Sequence, residues 1–191
     1  MKNKIIGDGD YGFIQLKDLP KDPCILKTIG NVDDINWLTT SETAQIAHNH
    51  CGATAVTNLM LYHHGKNSEN LPNSSNRLDL FKEVHRDVGN GPVAMIAGSA
   101  RKIFDVVGVE LKYKSIGTYS DLKEAIEDDE IVGLLLVNGL FNWHWVLCIG
   151  YIEYEDGTIY LQIIDNWHNT TDRFYKIHSN SLWFSGTSYK I

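Results

Sequence analysis

The stretch AQIAHNHCGATAVTNL, residues 44–59, places one cysteine between a group of histidines and a run of small apolar residues. After the cysteine, apolar residues recur at three- and four-residue spacing as far as His63, and Gly65 follows. That period is typical of a helix with one apolar face, and glycine commonly follows a helix end. The sequence therefore predicts a helix over residues 51–63 with the thiol of Cys51 at its start.

Cys51 has three candidate roles: a metal ligand, a buried core thiol or a nucleophile. A thiol attacks carbonyl groups as the thiolate, which the partial positive charge of a helix N-terminus favours. Gly52 would let a substrate approach the backbone, and Ala53 and Ala55 would let the helix pack tightly on a sheet. Because free cysteines are most often inert and buried, this stretch alone favours the core thiol. Partners elsewhere in the chain must decide the role.

Further helices and then strands are expected beyond this first helix. Apolar spacing predicts a helix over Arg77–Val88, after a loop at 65–76, and a third helix that follows Pro92 and ends at Gly108. Strand signals and one short helix come later: strand alternation from 109 to 113, a helix at 121–127, and strands at 131–137, 143–152, 158–164, 173–177 and 187–191. Helices first and antiparallel strands second indicate an α+β fold.

Two of these strands flank the turn signal Glu155-Asp156-Gly157 and are predicted to form a hairpin. With the turn centred on residues 154–157, the numbers of paired residues sum to 311. His144 then lies opposite Trp167, and Asp165 projects from the same face within hydrogen-bonding reach of His144. The pair would be a base and the group that orients it, although one bulge would change this register.

Gln45 lies six positions before Cys51. A catalytic thiol needs hydrogen-bond donors for the oxyanion that forms when it attacks a carbonyl. A side-chain amide and the N–H of the thiol residue itself can supply them. In isolation, Gln45 is an ordinary exposed residue ahead of a helix. Together with Cys51, His144 and Asp165 it completes an ordered set of four.

That order resembles the papain-like cysteine peptidases. The chain is most similar to their compact bacterial branch, the peptidases that remove double-glycine leaders from bacteriocins, in CGATA from Cys51 and HWVLCIGY from His144. The resemblance implies a papain-like fold, in which a helical lobe packs on an antiparallel β-sheet, and catalytic roles for Cys51, His144, Asp165 and Gln45. It also implies a cysteine peptidase that cleaves peptide or related amide bonds of a peptide or protein substrate through a thioester, with no metal or organic cofactor.

The chain departs from that branch at two places. Asn166 stands where proline is common after the aspartate, and Asn49 and His50 precede the cysteine where an acidic residue is frequent. These departures leave the nucleophile unchanged but put the double-glycine specificity in question.

Three alternatives stay open at the level of sequence. A zinc site would use the thiol of Cys51 and nearby imidazoles as ligands, although the spacing of these residues is unusual for a single ion. The candidate ligands are His48, His50, Cys51, His63 and His64. A Cys-His-acid triad also serves acyltransferases and transglutaminases, which pass the acyl group to an amine instead of water. The third alternative is a non-catalytic binding module of the same fold.

Size and composition set the remaining expectations. The 191 residues suit one domain, with 1–44 as an irregular N-terminal extension that holds one short strand at 11–16. The formal charge of −7, with no basic cluster, argues against nucleic acid as a partner.

Neither a membrane-spanning run nor a signal peptide is visible, so a cytoplasmic location is expected, or secretion if a leader is missing from the sequence. Three widely spaced cysteines argue against disulfides, and Cys148 is expected to be a buried core thiol. The oligomeric state is not indicated.

Overall fold

A computed structural model describes residues 8–66, 76–91, 93–140 and 142–191. The helices are α1 (Asp8–Tyr11), α2 (Cys51–Gly65), α3 (Arg77–Val88), α4 (Ala97–Val106) and α5 (Tyr119–Glu127), with a short 3-10 turn at Leu16–Asp18. The strands are β1 (Phe13–Gln15), β2 (Cys24–Thr28), β3 (Lys112–Ile116), β4 (Ile131–Val137), β5 (Trp143–Tyr154), β6 (Ile159–Ile164), β7 (Arg173–Lys176) and β8 (Leu182–Lys190).

The strands form one sheet in which every pair is antiparallel. Seven follow in the order β1-β7-β6-β5-β4-β8-β3, and β2 pairs with β5 beside that path. The helical part, α2 to α4, precedes most of the sheet in the chain, and α2 packs on β5. The predicted α+β class, with helices packed on an antiparallel sheet, is confirmed.

β5 is the central strand and has partners along both edges. One edge pairs with β6, and the other pairs first with β4 along residues 143–148 and then with β2 along residues 150–154. Most of its side chains are buried. His144 therefore lies near the beginning of a strand that is held from both sides.

α2 is buried on nearly every side, since residues 52–63 are all buried. Its first turn packs closely: a Cβ atom on Gly52 would lie 3.3 Å from Ile96 Cγ2 and 3.5 Å from Trp145 Cδ1. Enclosure of this kind is typical of a helix without a polar face. α2 consequently gives the thiol of Cys51 a fixed support.

α3, α4 and α5 have one buried face each, and α3 has the bounds that the sequence predicted. α5 begins two residues earlier than predicted because Thr118 and Asp121 form a capping box. In it, the Thr118 hydroxyl accepts the Asp121 N–H at 3.2 Å and the Asp121 carboxylate accepts the Thr118 N–H at 3.0 Å. In the described part of the chain no helix has the length and apolar character needed to span a membrane.

Two predicted segments differ in the structure. The third helix begins at Ala97, because the carbonyl of Val93 accepts a hydrogen bond from the Trp145 indole at 2.7 Å rather than continuing a helical ladder. Pro92 itself, and residues 67–75 of the predicted loop, lie outside the described residues. The N-terminal extension 1–44, expected to be irregular apart from one short strand at 11–16, also contains β2.

The predicted hairpin register was wrong near the turn and right near the site. The loop has three residues, with Gly157 at φ 82°, so Tyr154 pairs with Thr158 and the paired numbers sum to 312. A bulge between Cys148 and Gly150 then restores a sum of 311. Two departures thus cancel before the strands reach His144.

Candidate active site

Cys51 is the first residue of α2, and its thiol is partly buried. The S–H group points to the carbonyl oxygen of Trp143 at the start of β5, with 3.9 Å between Sγ and the oxygen. The preceding residue, His50, is buried and its Nε2 lies 2.6 Å from Thr43 Oγ1. The start of the helix is thereby joined to the loop before it and to the strand that carries His144.

The electrostatic surroundings of Cys51 act in opposite directions. Burial raises the pKa of the Cys51 thiol, whereas the backbone N–H groups of Trp145, Gly52 and Cys51 itself lower it. The rise is the larger effect, so burial disfavours the thiolate. Attack on a carbonyl consequently requires a base close to the sulfur.

His144 is held by a backbone atom. Its Nε2 lies 2.7 Å from the carbonyl oxygen of Asp165. Because a carbonyl oxygen only accepts hydrogen bonds, Nε2 carries the proton and Nδ1 is the basic nitrogen of the neutral ring. The Trp167 ring stacks on the imidazole with 4.0 Å between centroids, in agreement with the predicted pairing of these residues.

The carboxylate of Asp165 is fully buried and is held by the turn that follows β6 and by Arg173. Its Oδ1 accepts the N–H groups of Trp167 at 2.9 Å and His168 at 2.8 Å. Its Oδ2 lies 3.0 Å from Arg173 Nε and 2.8 Å from His168 Nδ1. Asp165 therefore reaches the imidazole through its backbone.

Cys51 and His144 line the same cleft, which has a volume of about 550 Å³. The other residues that line it are Thr40, Ser41, Ala44, Ala47, His48, Asn49, His50, Gly91, Trp143 and Trp167. Most of these side chains are small or polar, so a peptide backbone can approach the thiol. The cleft lies where the first residue of α2 meets the first residues of β5.

Gln45 is exposed and does not line this cleft. The residues between it and Cys51 form turns rather than a regular element, which the six-residue spacing alone does not reveal. The structure thus brings together the thiol, the imidazole and the carbonyl of Asp165, and leaves the glutamine apart. The oxyanion role of Gln45 stays a prediction.

Aromatic residues of the N-terminal segment also reach the site, which sequence reasoning missed. The Tyr11 ring lies 5.5 Å from the His144 ring and 5.7 Å from the Trp167 ring, centroid to centroid. Phe13 on β1 lies 5.7 Å from Trp167 and stacks on Tyr11. Burial and then the nearby charge of Cys51 raise the pKa of Tyr11. The aromatic residues of the predicted strand at 11–16 were the sequence feature that could have indicated this contact.

Arg173 and Asn166 are two further residues whose importance the sequence did not show. Arg173 is 3% exposed although it carries a charge, and it pairs with Asp165. Asn166 is fully buried, and its amide donates to the Trp145 carbonyl oxygen at 2.7 Å and accepts from Asn58 Nδ2 at 2.8 Å. A strand pattern identifies neither, because both side chains act across elements that are distant in sequence.

The histidines near Cys51 have separate environments. His48 and His50 line the cleft, whereas His63 is buried in the core against Phe104. Burial, and then the charge of Lys66, lower the pKa of His63 to about 4. Within the described ranges no three His, Cys, Asp or Glu side chains converge on a point that could hold a metal ion.

The thiols of Cys148 and Cys24 can be compared with that of Cys51 within the same chain. Cys148 is fully buried, as predicted, and burial raises its pKa to about 12. Its S–H donates to the carbonyl oxygen of Gly150, with a sulfur–oxygen distance of 3.2 Å. Cys24 lies exposed on β2. The three cysteines therefore differ clearly in accessibility.

Comparison with known proteins finds similarity among solved structures. No protein-family model and no curated protein matches the chain. One similar solved structure is a double glycine motif protease from an AMS/PCAT transporter, in complex with the leader peptide. It is 16% identical, with a TM-score of 0.44, over 87% of this chain and 98% of that chain. The chemistry of this chain must be argued from its own residues.

Proposed function

We propose that this chain is a cysteine peptidase-like hydrolase that cleaves peptide or related amide bonds with Cys51 as nucleophile and His144 as base. One observation carries the proposal: the thiol at the start of α2 and the imidazole on β5 line the same cleft. The resemblance of the ordered sequence motifs to papain-like peptidases supports the same chemistry. One buried core contains side chains from both the helices and the strands, which supports a single domain.

The proposed reaction begins when His144 Nδ1 takes the proton from Cys51 Sγ. The thiolate attacks the substrate carbonyl carbon, and the N–H of Cys51 donates to the oxyanion that forms. The imidazolium then protonates the leaving amine as the C–N bond breaks, which leaves a thioester on Cys51. Water attacks this thioester and gives its proton to Nδ1. The carboxylic acid leaves, and the proton returns to the sulfur.

In this scheme Asp165 contributes a carbonyl oxygen. It holds the Nε2–H group, which fixes Nδ1 as the base, and it also stabilises the imidazolium once the thiol proton has been taken. Trp167 covers one face of the ring. These contacts serve the role that the sequence assigned to the Asp165 carboxylate.

Alkylation of the three cysteines with iodoacetamide at acid, neutral and alkaline pH, mapped by mass spectrometry, tests the proposal. Cys51 should react faster than the exposed Cys24 at neutral pH, because His144 removes its proton, and Cys148 should not react. His144→Ala should slow the alkylation of Cys51 by about a hundredfold or more, the lower end of the usual contribution of a general base, and leave that of Cys24 unchanged. The proposal fails if Cys51 reacts no faster than Cys24, or if His144→Ala has no effect.

A turnover assay complements the labelling. Cys51→Ala should abolish cleavage of a peptide substrate while thermal unfolding changes little, since a core thiol would behave in the opposite way. Cleavage in the presence of a primary amine should still give the free acid. An amide product instead would show that the enzyme transfers the acyl group.

A further inference from the structure

The orientation of His144 depends on one peptide group. Its Nε2 is held at 2.7 Å by the carbonyl oxygen of Asp165, and a carbonyl oxygen moves only with the backbone. The orientation of the imidazole therefore depends on the contacts that fix the peptide group between Asp165 and Asn166. This peptide follows the last residue of β6, so ladder hydrogen bonds do not fix it.

On one side, the peptide is anchored by the Asp165 side chain. Two N–H groups of the following turn, from Trp167 and His168, donate to Oδ1, which closes the turn around the carboxylate. The Arg173 guanidinium holds Oδ2 through Nε at 3.0 Å, and His168 Nδ1 lies 2.8 Å from the same oxygen. The side chain is completely buried, so these bonds are shielded from competition with solvent.

Arg173 connects this turn to the sheet. It is the first residue of β7 and pairs with Gln15 of β1 and Ile163 of β6. Its side chain is 4% exposed, and it does not line the cleft. Arg173 is thus attached to a rigid element outside the cleft that Cys51 and His144 line.

On the other side, the peptide is anchored by Asn166. This residue has a left-handed backbone with φ 61°. Its amide joins Trp145 on β5 to Asn58 on α2, and its carbonyl oxygen accepts the Thr40 N–H at 2.8 Å. The peptide that holds His144 is therefore clamped between two buried side chains.

We infer that Arg173 is a positioning residue for the proposed reaction: it holds the Asp165 carboxylate, and thereby aims the Asp165 carbonyl oxygen at His144 Nε2. This inference rests on the proposed function of Cys51 and His144. Aspartate is needed at position 165 as the partner of Arg173, and this residue reaches the imidazole through its carbonyl oxygen. Arg173 acts through the backbone of another residue and contacts no reacting atom.

Two variants test the inference by iodoacetamide alkylation, with the Cys51 to Cys24 rate ratio as the readout. Asp165→Asn/Arg173→Met removes both charges, so neither is left buried alone. Its ratio at neutral pH should fall by about tenfold, because a catalytic group that is aimed less accurately loses one to two orders of magnitude. Arg173→Lys keeps the charge without the guanidinium geometry and should fall between this variant and wild type.

The pH profile separates positioning from general loss of structure. Above the pKa of the Cys51 thiol, which burial raises, the sulfur ionises without help from His144, so the Cys51 to Cys24 rate ratios of wild type and variants should converge. Lys123→Met is the matched control, because it breaks the partly buried ion pair with Glu153 at the far end of β5. This control should keep the wild-type ratio.

The outcomes distinguish the inference from the proposed function. A wild-type ratio in either folded variant at neutral pH overturns the role of Arg173. If the double variant does not fold, the Cys51 to Cys24 rate ratio of Arg173→Lys alone tests the role of Arg173. A ratio that does not respond to His144→Ala, measured alongside, instead overturns the proposed function.

Discussion

A carbonyl oxygen orients His144, and backbone N–H groups counteract the rise of the Cys51 pKa that burial causes. Substitution cannot remove these backbone groups, so side chains influence the site by fixing the backbone that carries them. Asn58 is an example on α2: its amide exchanges two hydrogen bonds with the backbone of Leu38 and donates to Asn166. It thereby ties the helix of the nucleophile to the turn that holds the base.

Asn58→Ala should lower the free energy of unfolding by about 2 to 4 kcal/mol, because it leaves several buried polar groups of Leu38 and Asn166 without partners. Urea unfolding monitored by fluorescence measures the change. Asn90→Ala removes an exposed side-chain contact with His85 and should change stability by less than about 0.5 kcal/mol. Equal losses in the two variants would contradict the importance of the buried network.

For single residues, the sequence predicted where they lie in the fold better than it predicted which way their side chains point. Cys51 begins a helix, and His144 faces Trp167 as expected. The contact of Asp165 could not be predicted, because alternation determines side-chain direction only within a strand, and β6 ends one residue earlier. The burial of Arg173 depends on a partner that a single sequence does not identify.

Among the elements, the β5–β6 hairpin sets the register of the site through its bulge. Gly150 lies at this bulge, where β2 approaches β5 closely. A Cβ atom there would lie 2.5 Å from the Lys27 carbonyl oxygen and 2.9 Å from Gln162 Oε1. The glycine is required so that three strands can meet.

Gly150→Ala should lower the free energy of unfolding by about 1 to 3 kcal/mol, since a methyl group would be forced into a filled space. Gly117→Ala is the matched control, because a Cβ atom at Gly117 would have no neighbour within 4 Å and its φ is ordinary. It should be close to neutral. Urea unfolding of both variants measures the difference, and a neutral Gly150→Ala would show that β2 can move away without cost.

Element types were predictable where apolar periodicity was strong, as in α3 and β4, both found at the predicted bounds. The start of α4 was not, because a tryptophan side chain on a distant strand takes the carbonyl of Val93. The three-residue length of the hairpin loop could not be predicted either, because the turn signal Glu155-Asp156-Gly157 is compatible with several loop lengths. Tertiary contacts decided these boundaries.

For the molecule as a whole, the enclosed helix α2 makes folding sensitive to acid. His63 on α2 is 3% exposed, and neither ring nitrogen has a hydrogen-bond partner among the described residues. Its pKa is lowered to about 4 in the folded chain, first by burial and then by Lys66. An unfolded histidine has a pKa near 6.5. Between these values the unfolded chain binds the proton and the folded chain does not.

The free energy of unfolding should therefore fall as the pH is lowered from about 6.5 towards about 4, with His63 contributing up to about 3 kcal/mol of the loss. His63→Met cannot take up that proton, so its stability should depend less steeply on pH, although buried His50, whose pKa is also lowered, keeps part of the slope. Urea unfolding at a series of pH values measures the slopes. His178→Asn, at an exposed position, is the control and should keep the wild-type slope. Equal slopes for His63→Met and wild type would mean that the folded chain accommodates a charged imidazole inside α2.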